Sequence, residues 1–166
     1  QLDWMAVPSN LVSKVLDADN RPNADLAKAG VRLERGVQPA ISYTFFNMDD
    51  PVVGGYEPAR IALRRAIIMG YDVNEEIRVL RQGQGLPATQ VVPPNMTGHD
   101  PSYDGRVKYD VPGAKALLDK FGYVDRDGDG FRETPDGNPL ALKMGSSTSA
   151  QDREFDEFWQ RTLISL

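Results

Sequence analysis

The sequence contains no cysteine, only one histidine and no long run of apolar residues. The absence of cysteine excludes disulfides, thiolate metal sites and cysteine nucleophiles. A single histidine, His99 in a polar loop, excludes a multi-histidine metal centre and leaves little for a nucleophile–base pair. No segment approaches the roughly 18 apolar residues of a membrane-spanning helix. No catalytic signature remains among the other residues, so the sequence predicts a protein that is not an enzyme.

Positive charge is also scarce, because 24 acidic residues outnumber 19 lysines and arginines and give a net charge of -5. Binding to nucleic acid needs an excess of basic residues on one face, so this balance argues against such a partner. The length of 166 residues corresponds to about one domain. With 40% hydrophobic residues, the chain can form an apolar core.

Helix signals recur along the chain, each with a start and a stop. Asn23 or Ala24 begins a short helix. A largely apolar helix follows Pro58, and another begins after Asp72. Asp110 begins a helix with an apolar stripe of Ala114, Leu117, Leu118 and Phe121, and Ser149 begins the last.

Two segments have the pattern of strands. Residues from about Ile41 to Asn47 are rich in β-branched and aromatic side chains, and Leu140, Leu142 and Met144 alternate with smaller or charged residues. The order of elements predicts an α/β protein of the mixed α+β kind. Because the sequence stops within the last helical pattern, we expect a fragment.

An acidic segment, VDRDGDGFRETPDG at residues 124–137, has the Asp-x-Asp-x-Asp-Gly opening of a calcium loop. Alternate residues of such a twelve-residue loop converge on one cation, and the sixth residue is glycine. Counting from Asp125, the sixth residue is Gly130 and the twelfth is Asp136. The predicted ligands are Asp125, Asp127, Asp129, the Phe131 carbonyl, Glu133 and Asp136.

The same segment departs from an EF-hand in three ways. Asp136 stands where a longer glutamate is needed, and Arg132 stands where an apolar residue is expected. Pro135, Gly137 and Pro139 prevent the exit helix. Two interpretations stay open: a single structural calcium site, or a solvated turn whose aspartates bond to their own backbone.

The order of the motifs is more specific than any one of them. The chain contains YTFFNMDDPV, LRRAIIMGYDVNEEI, GQGLPATQVVPP and YDVPGAKALLDKFGYVDRDGDGFRETPDGNPLAL, in that order. From about Tyr43 to Leu142 it resembles the family 5 extracellular solute-binding proteins. These are the oligopeptide- and dipeptide-binding receptors of bacterial ABC importers.

The resemblance implies an incomplete, periplasmic-binding-protein-like (type II) lobe. Residues 1–50 would be a hinge-proximal segment with a crossing strand, and 51–166 the first part of the C-terminal lobe. Phe46 and Asn47 would line the ligand cleft, with the alternative that Phe46 is core and Asn47 caps a turn. No cofactor is required, and the structural calcium considered above is one of the two interpretations that stay open for the acidic segment.

The implied partners are a peptide or other small solute and an ABC permease, with no nucleic acid. The implied location is periplasmic or extracellular, with the full-length parent free or membrane-anchored. An exposed apolar face on the last helix would favour self-association of a fragment. Two other functions stay open: the sensor domain of a transcription regulator with the same fold, and a calcium-stapled structural module.

Overall fold

Helices provide the regular structure of the residues that the computed structural model describes, 4–8 and 11–166. Two isolated antiparallel bridges, Leu16 with Pro22 and Glu133 with Pro139, accompany them. The helices are α1 Val12–Val15, α2 Ala24–Lys28, α3 Pro58–Met69, α4 Val73–Val79, α5 Val111–Lys120 and α6 Ala150–Ile164.

Side-chain caps fix three of the helix starts that the sequence predicts. The Asn23 side chain accepts a hydrogen bond from the Leu26 amide at 3.0 Å. Asp110 accepts one from the third residue after it at 2.9 Å, and Ser149 does the same at 3.1 Å. Each cap satisfies an amide that has no partner within its own helix. The predicted starts of α2, α5 and α6 are therefore confirmed.

The two predicted strands are absent from the residues that the structure describes. Residues 41–47 and 140–144 have neither helical nor strand structure. A strand exists only where a neighbouring segment accepts and donates backbone hydrogen bonds, and alternation of side chains does not provide that neighbour. The alternation predicts burial correctly for Leu140 and Leu142, which pack against the core, but wrongly for Met144, which is 45% exposed. The mixed α/β class is therefore not confirmed.

The chain divides into two compact units, each made of two separate segments. The first comprises Gln1–Ile41 and Asn74–Gly105, and the second comprises Ser42–Val73 and Arg106–Leu166. This division differs from the expected one into residues 1–50 and 51–166. The lobe boundary of the receptor, which that expectation described, stays a prediction.

The core of the second unit lies between α3 and α5. Leu63 and Leu118 are 1% and 2% exposed, and a buried tyrosine, Tyr123, completes the contact. The predicted stripe of α5 is confirmed, because all four of its residues belong to this core or pack against it. The buried members are Leu63, Ala66, Ile67, Ala114, Leu118 and Tyr123, and partly buried side chains around them include Leu117, Phe121, Trp159 and Leu163.

The first unit contains α1, α2 and a loop that carries the single histidine. The His99 ring nitrogen Nδ1 lies 2.8 Å from the Val92 carbonyl oxygen. One residue further on, the Asp100 carbonyl accepts from the Gln90 side chain at 2.6 Å. These contacts close the loop from 90 to 100, so the histidine has a structural role there.

Candidate functional site

The acidic segment brings four of its predicted ligands together. Carboxylate oxygens of Asp125, Asp127, Asp129 and Glu133 lie within 4.8 Å of one another. The three aspartates are exposed, whereas Glu133 is buried at 8% exposure. Oxygen ligands converging in this way suit a hard divalent cation such as calcium.

Backbone hydrogen bonds to the aspartates give this loop its shape. Asp125 accepts from the Gly128 amide at 2.7 Å through one oxygen and from the Gly130 amide at 3.0 Å through the other. Asp127 and Asp129 each accept from the amide two residues further on, at 3.1 and 2.7 Å. Both glycines have positive φ, 81° and 91°, a conformation that favours glycine. The alternating Asp-Gly sequence is therefore what allows the loop to turn.

Glu133 reaches the cluster because Arg126 holds it there. The Arg126 amide donates to a Glu133 oxygen at 2.7 Å, and the guanidinium lies 4.0 Å from the same oxygen. The guanidinium also donates to the carbonyls of Gly122 and Thr134, at 3.0 and 2.9 Å. One arginine thus links the end of α5 to both sides of the acidic loop.

The other two predicted ligands are placed differently. Asp136 is not part of the four-carboxylate group. It lies in a separate turn, which the Gly137 amide closes by donating to the Thr134 carbonyl at 2.8 Å. The Phe131 side chain is 62% exposed. A calcium ion at this loop stays a prediction, resting on the four grouped carboxylates.

Arg132 lies in the same segment, but its guanidinium bonds to groups outside the loop. It donates through Nε to the Leu166 carbonyl at 2.7 Å, and through Nη1 to the Tyr123 carbonyl and the Asp119 carboxylate. The residue is mostly buried in this position, with 17% of its side chain exposed. This role explains an arginine where an EF-hand has an apolar residue.

The predicted ligand-contacting residues Phe46 and Asn47 have structural contacts. Phe46 packs against the core of the second unit. The Asn47 side chain accepts a hydrogen bond from the Asp49 amide at 3.1 Å, which closes a turn. These contacts match the alternative roles of core and turn cap, and a role for either residue in ligand binding stays a prediction.

Sequence reasoning missed two exposed aromatic residues on the same segment. Tyr43 and Phe45 are 75% and 76% exposed, and their ring centroids lie 6.4 Å apart. Their spacing of two residues was the signal in the sequence, because side chains two apart in an extended segment point to the same side. They are the large side chains that this segment presents to solvent.

The turn after Asn47 fixes this segment on α3. Asp50 accepts hydrogen bonds from the Val53 and Val52 amides at 3.0 and 2.8 Å. These bonds lower the pKa of the Asp50 carboxyl, and the bond from Val53 has the larger effect. Gly54 is buried, and a Cβ atom there would lie 2.3 Å from the Met48 carbonyl oxygen.

Two arginines on α3 bond to this turn. Arg64 donates to the Val53 carbonyl at 2.5 Å, and Arg60 donates to the Gly54 carbonyl at 3.3 Å. Both carbonyls belong to the tight turn, so the arginines couple it directly to the helix. The segment that carries the exposed rings therefore has a fixed anchor at its end.

Among the described residues, no helix combines the length and apolar character needed to cross a membrane. A search of curated proteins finds no match to the chain. A family model described as bacterial extracellular solute-binding proteins, family 5 Middle, matches residues 1–164. Such proteins are generally non-enzymatic, have a periplasmic-binding-protein-like fold and serve ABC importers by binding solutes outside the cytoplasm. Because the match covers nearly the whole chain, the family that the motifs indicate is confirmed: this chain belongs to the family 5 extracellular solute-binding proteins.

Proposed function

We propose that this chain is part of a receptor that captures a peptide between two lobes and delivers it to an ABC permease. The family match over residues 1–164 is the observation that supports the proposal. Closure of two lobes requires a ligand that binds the closed state better than the open one, and such a ligand contacts both lobes at once. The second unit would supply one of the two contacting surfaces.

The segment before α3 is the proposed contact surface within that unit. Its exposed rings, Tyr43 and Phe45, offer apolar area for a peptide side chain, and aromatic residues commonly line ligand sites. Asn47 uses its side-chain oxygen in the turn, which leaves its amide hydrogens to donate to a peptide carbonyl. Phe46, packed on the core, would support this surface from behind.

Titration of the whole natural protein with a library of short peptides, and with sugars for comparison, tests the proposal. We expect peptide binding that weakens roughly tenfold in Tyr43→Ala or Phe45→Ala, since truncating a central aromatic contact costs about 1.4 kcal/mol or more. Tyr56→Ala is the matched control, because Tyr56 is 79% exposed but lies outside the segment. Binding of sugars alone would contradict the peptide assignment, and equal affinity in all variants would contradict the surface.

The remaining functions predicted from the sequence lead to different results in simple experiments. A sensor domain of a transcription regulator would require a DNA-binding module in the natural protein and would show specific DNA binding. A calcium-stapled structural module would respond to chelation and bind no solute.

We propose a periplasmic or extracellular location, with or without a membrane anchor, and cell fractionation with an antibody to this chain tests it. The exposed apolar face that the sequence predicts on α6 is covered, because Phe158 is buried and Trp159 and Leu163 pack against the core. Self-association therefore loses this argument and stays a prediction that sedimentation velocity tests.

A further inference from the structure

Four aspartates in this chain are followed directly by glycine, at Asp104, Asp127, Asp129 and Asp136. Asp-Gly pairs can isomerise without an enzyme. The glycine amide nitrogen loses its proton and attacks the aspartate Cγ, the carboxyl oxygen leaves as water, and a cyclic imide forms. Addition of one water then yields aspartate or isoaspartate. Glycine favours this reaction because it lacks a Cβ that would hinder the attack.

At two of these pairs, Asp127–Gly128 and Asp129–Gly130, both the attacking nitrogen and the attacked carboxylate take part in hydrogen bonds. The attacking nitrogens, those of Gly128 and Gly130, donate to the two carboxylate oxygens of Asp125, at 2.7 and 3.0 Å. The carboxylates that would be attacked, those of Asp127 and Asp129, accept hydrogen bonds from amides further along the loop. One residue, Asp125, therefore occupies both attacking nitrogens.

We propose that Asp127 and Asp129 are a latent isomerisation site that Asp125 protects. An amide that donates to a carboxylate must first break that bond before its nitrogen can turn toward the neighbouring Cγ. Isoaspartate would add a methylene to the loop backbone and displace a carboxylate. The grouping of four carboxylates would then be lost, so the protection also preserves the shape of the loop.

The pair Asp136–Gly137 provides a control within the same molecule. Its attacking nitrogen, that of Gly137, donates to the backbone carbonyl of Thr134 at 2.8 Å. That bond does not involve Asp125, so substitution of Asp125 leaves it in place. A specific effect of Asp125 would therefore change the rate of isomerisation at Asp127–Gly128 and Asp129–Gly130 but not at Asp136–Gly137.

The test compares the unmodified protein with Asp125→Ala and Asp125→Asn during long incubation at neutral pH with a chelator. Trypsin cleaves after Arg126, Arg132 and Lys143, so residues 127–132 and 133–143 form separate peptides. Chromatography separates the isoaspartate form of each peptide from the aspartate form of equal mass. We expect isoaspartate in peptide 127–132 to form roughly tenfold faster in Asp125→Ala, which corresponds to about 1.4 kcal/mol in the barrier.

Asp125→Asn should give a smaller increase, because its single side-chain oxygen can still accept one of the two amides. The rate in peptide 133–143 should stay unchanged in both variants. An unchanged rate in peptide 127–132 would overturn the proposal. An equal increase in both peptides would also overturn it, since it would show general loosening of the loop instead of protection by two hydrogen bonds.

Discussion

Tyr71 stacks against Trp159, with the ring centroids 4.1 Å apart and the ring planes 29° from parallel. Tyr71 directly follows Gly70 at the end of α3, and Trp159 lies on α6. Phe158 meets the same tyrosine edge-on, at 5.2 Å between centroids. This aromatic contact joins α6 to the end of α3 in the second unit.

Truncating Trp159 should therefore destabilise the second unit. We expect Trp159→Ala to lower the free energy of unfolding by roughly 3 kcal/mol, because it removes a large packed ring. Trp159→Phe should cost less, since it keeps an aromatic partner for Tyr71. Ile164→Ala on the same helix is the control: its side chain is 63% exposed, and the change should stay within about 0.5 kcal/mol. Equal losses for Trp159→Ala and the control, measured by denaturant titration, would contradict the role of the stack.

The core contact between α3 and α5 makes a second prediction. Leu118→Ala should cost roughly 2–5 kcal/mol, because the side chain is 2% exposed and its loss leaves a cavity. Leu117→Ala should cost less, since Leu117 is only partly buried at the edge of the same core. Urea titration of the two variants measures the difference. A Leu118→Ala loss below about 1 kcal/mol would show that the site relaxes around the cavity or is not core.

Calcium binding at the acidic loop is testable by thermal melting with calcium and with chelator. If the four carboxylates bind the ion, free calcium at about 100 times the dissociation constant should stabilise the fold by roughly 2.7 kcal/mol. Asp127→Ala should abolish this response, whereas Asp136→Ala should retain it, because Asp136 lies outside the group. Magnesium should substitute poorly, since it prefers a smaller octahedral site. A melting temperature of the unmodified protein that does not respond to calcium would leave the loop as a solvated turn.

The turn before α3 predicts a dependence of stability on pH. Hydrogen bonds from the Val53 and Val52 amides lower the pKa of Asp50 below its ordinary value of 3.8. A folded pKa below the unfolded one means that the stabilisation is complete above the unfolded value and is lost as pH falls through the folded one. The unmodified protein should therefore lose stability in acid relative to Asp50→Asn, which keeps an acceptor oxygen and does not titrate.

Unfolding by urea at a series of pH values, from neutral to about 2, measures this dependence. Asp49→Asn serves as the neighbouring control, and the pH dependence of its stability should follow that of the unmodified protein. A difference between Asp50→Asn and the unmodified protein that stays constant throughout the acid range would contradict the coupling.

The sequence predicted the helices better than the segments between them, for a local reason. A cap such as Asp110 or Ser149 acts within three residues of itself, so its effect is visible in the sequence. A strand depends on a ladder of hydrogen bonds to a partner segment, and among the described residues neither 41–47 nor 140–144 has such a ladder, although the Leu140 amide makes a single bond to the Arg132 carbonyl at 3.0 Å. Apolar alternation there indicated burial of Leu140 and Leu142 correctly, but not backbone pairing.

The acidic loop was predictable for the same reason, because its ligands lie close together in sequence. Two of the predicted ligands, Glu133 and Asp136, have positions that depend on contacts with residues further away in the sequence. Glu133 joins the group through Arg126, and Asp136 is excluded from it by the separate turn at Thr134. The exposure of Tyr43 and Phe45 likewise depends on how Phe46 packs against a core formed by α3 and α5. Local spacing does not contain that information.

Arg132 gives the acidic loop a mechanical connection to two helices. Its planar guanidinium has a fixed fork of donors, so its hydrogen bonds to Leu166, Tyr123 and Asp119 tolerate little independent movement. The acidic loop, the end of α5 and the residues after α6 thus share the hydrogen bonds of one side chain. We expect a change in the shape of the loop at Arg132 to disturb these bonds and, with them, the ends of both helices.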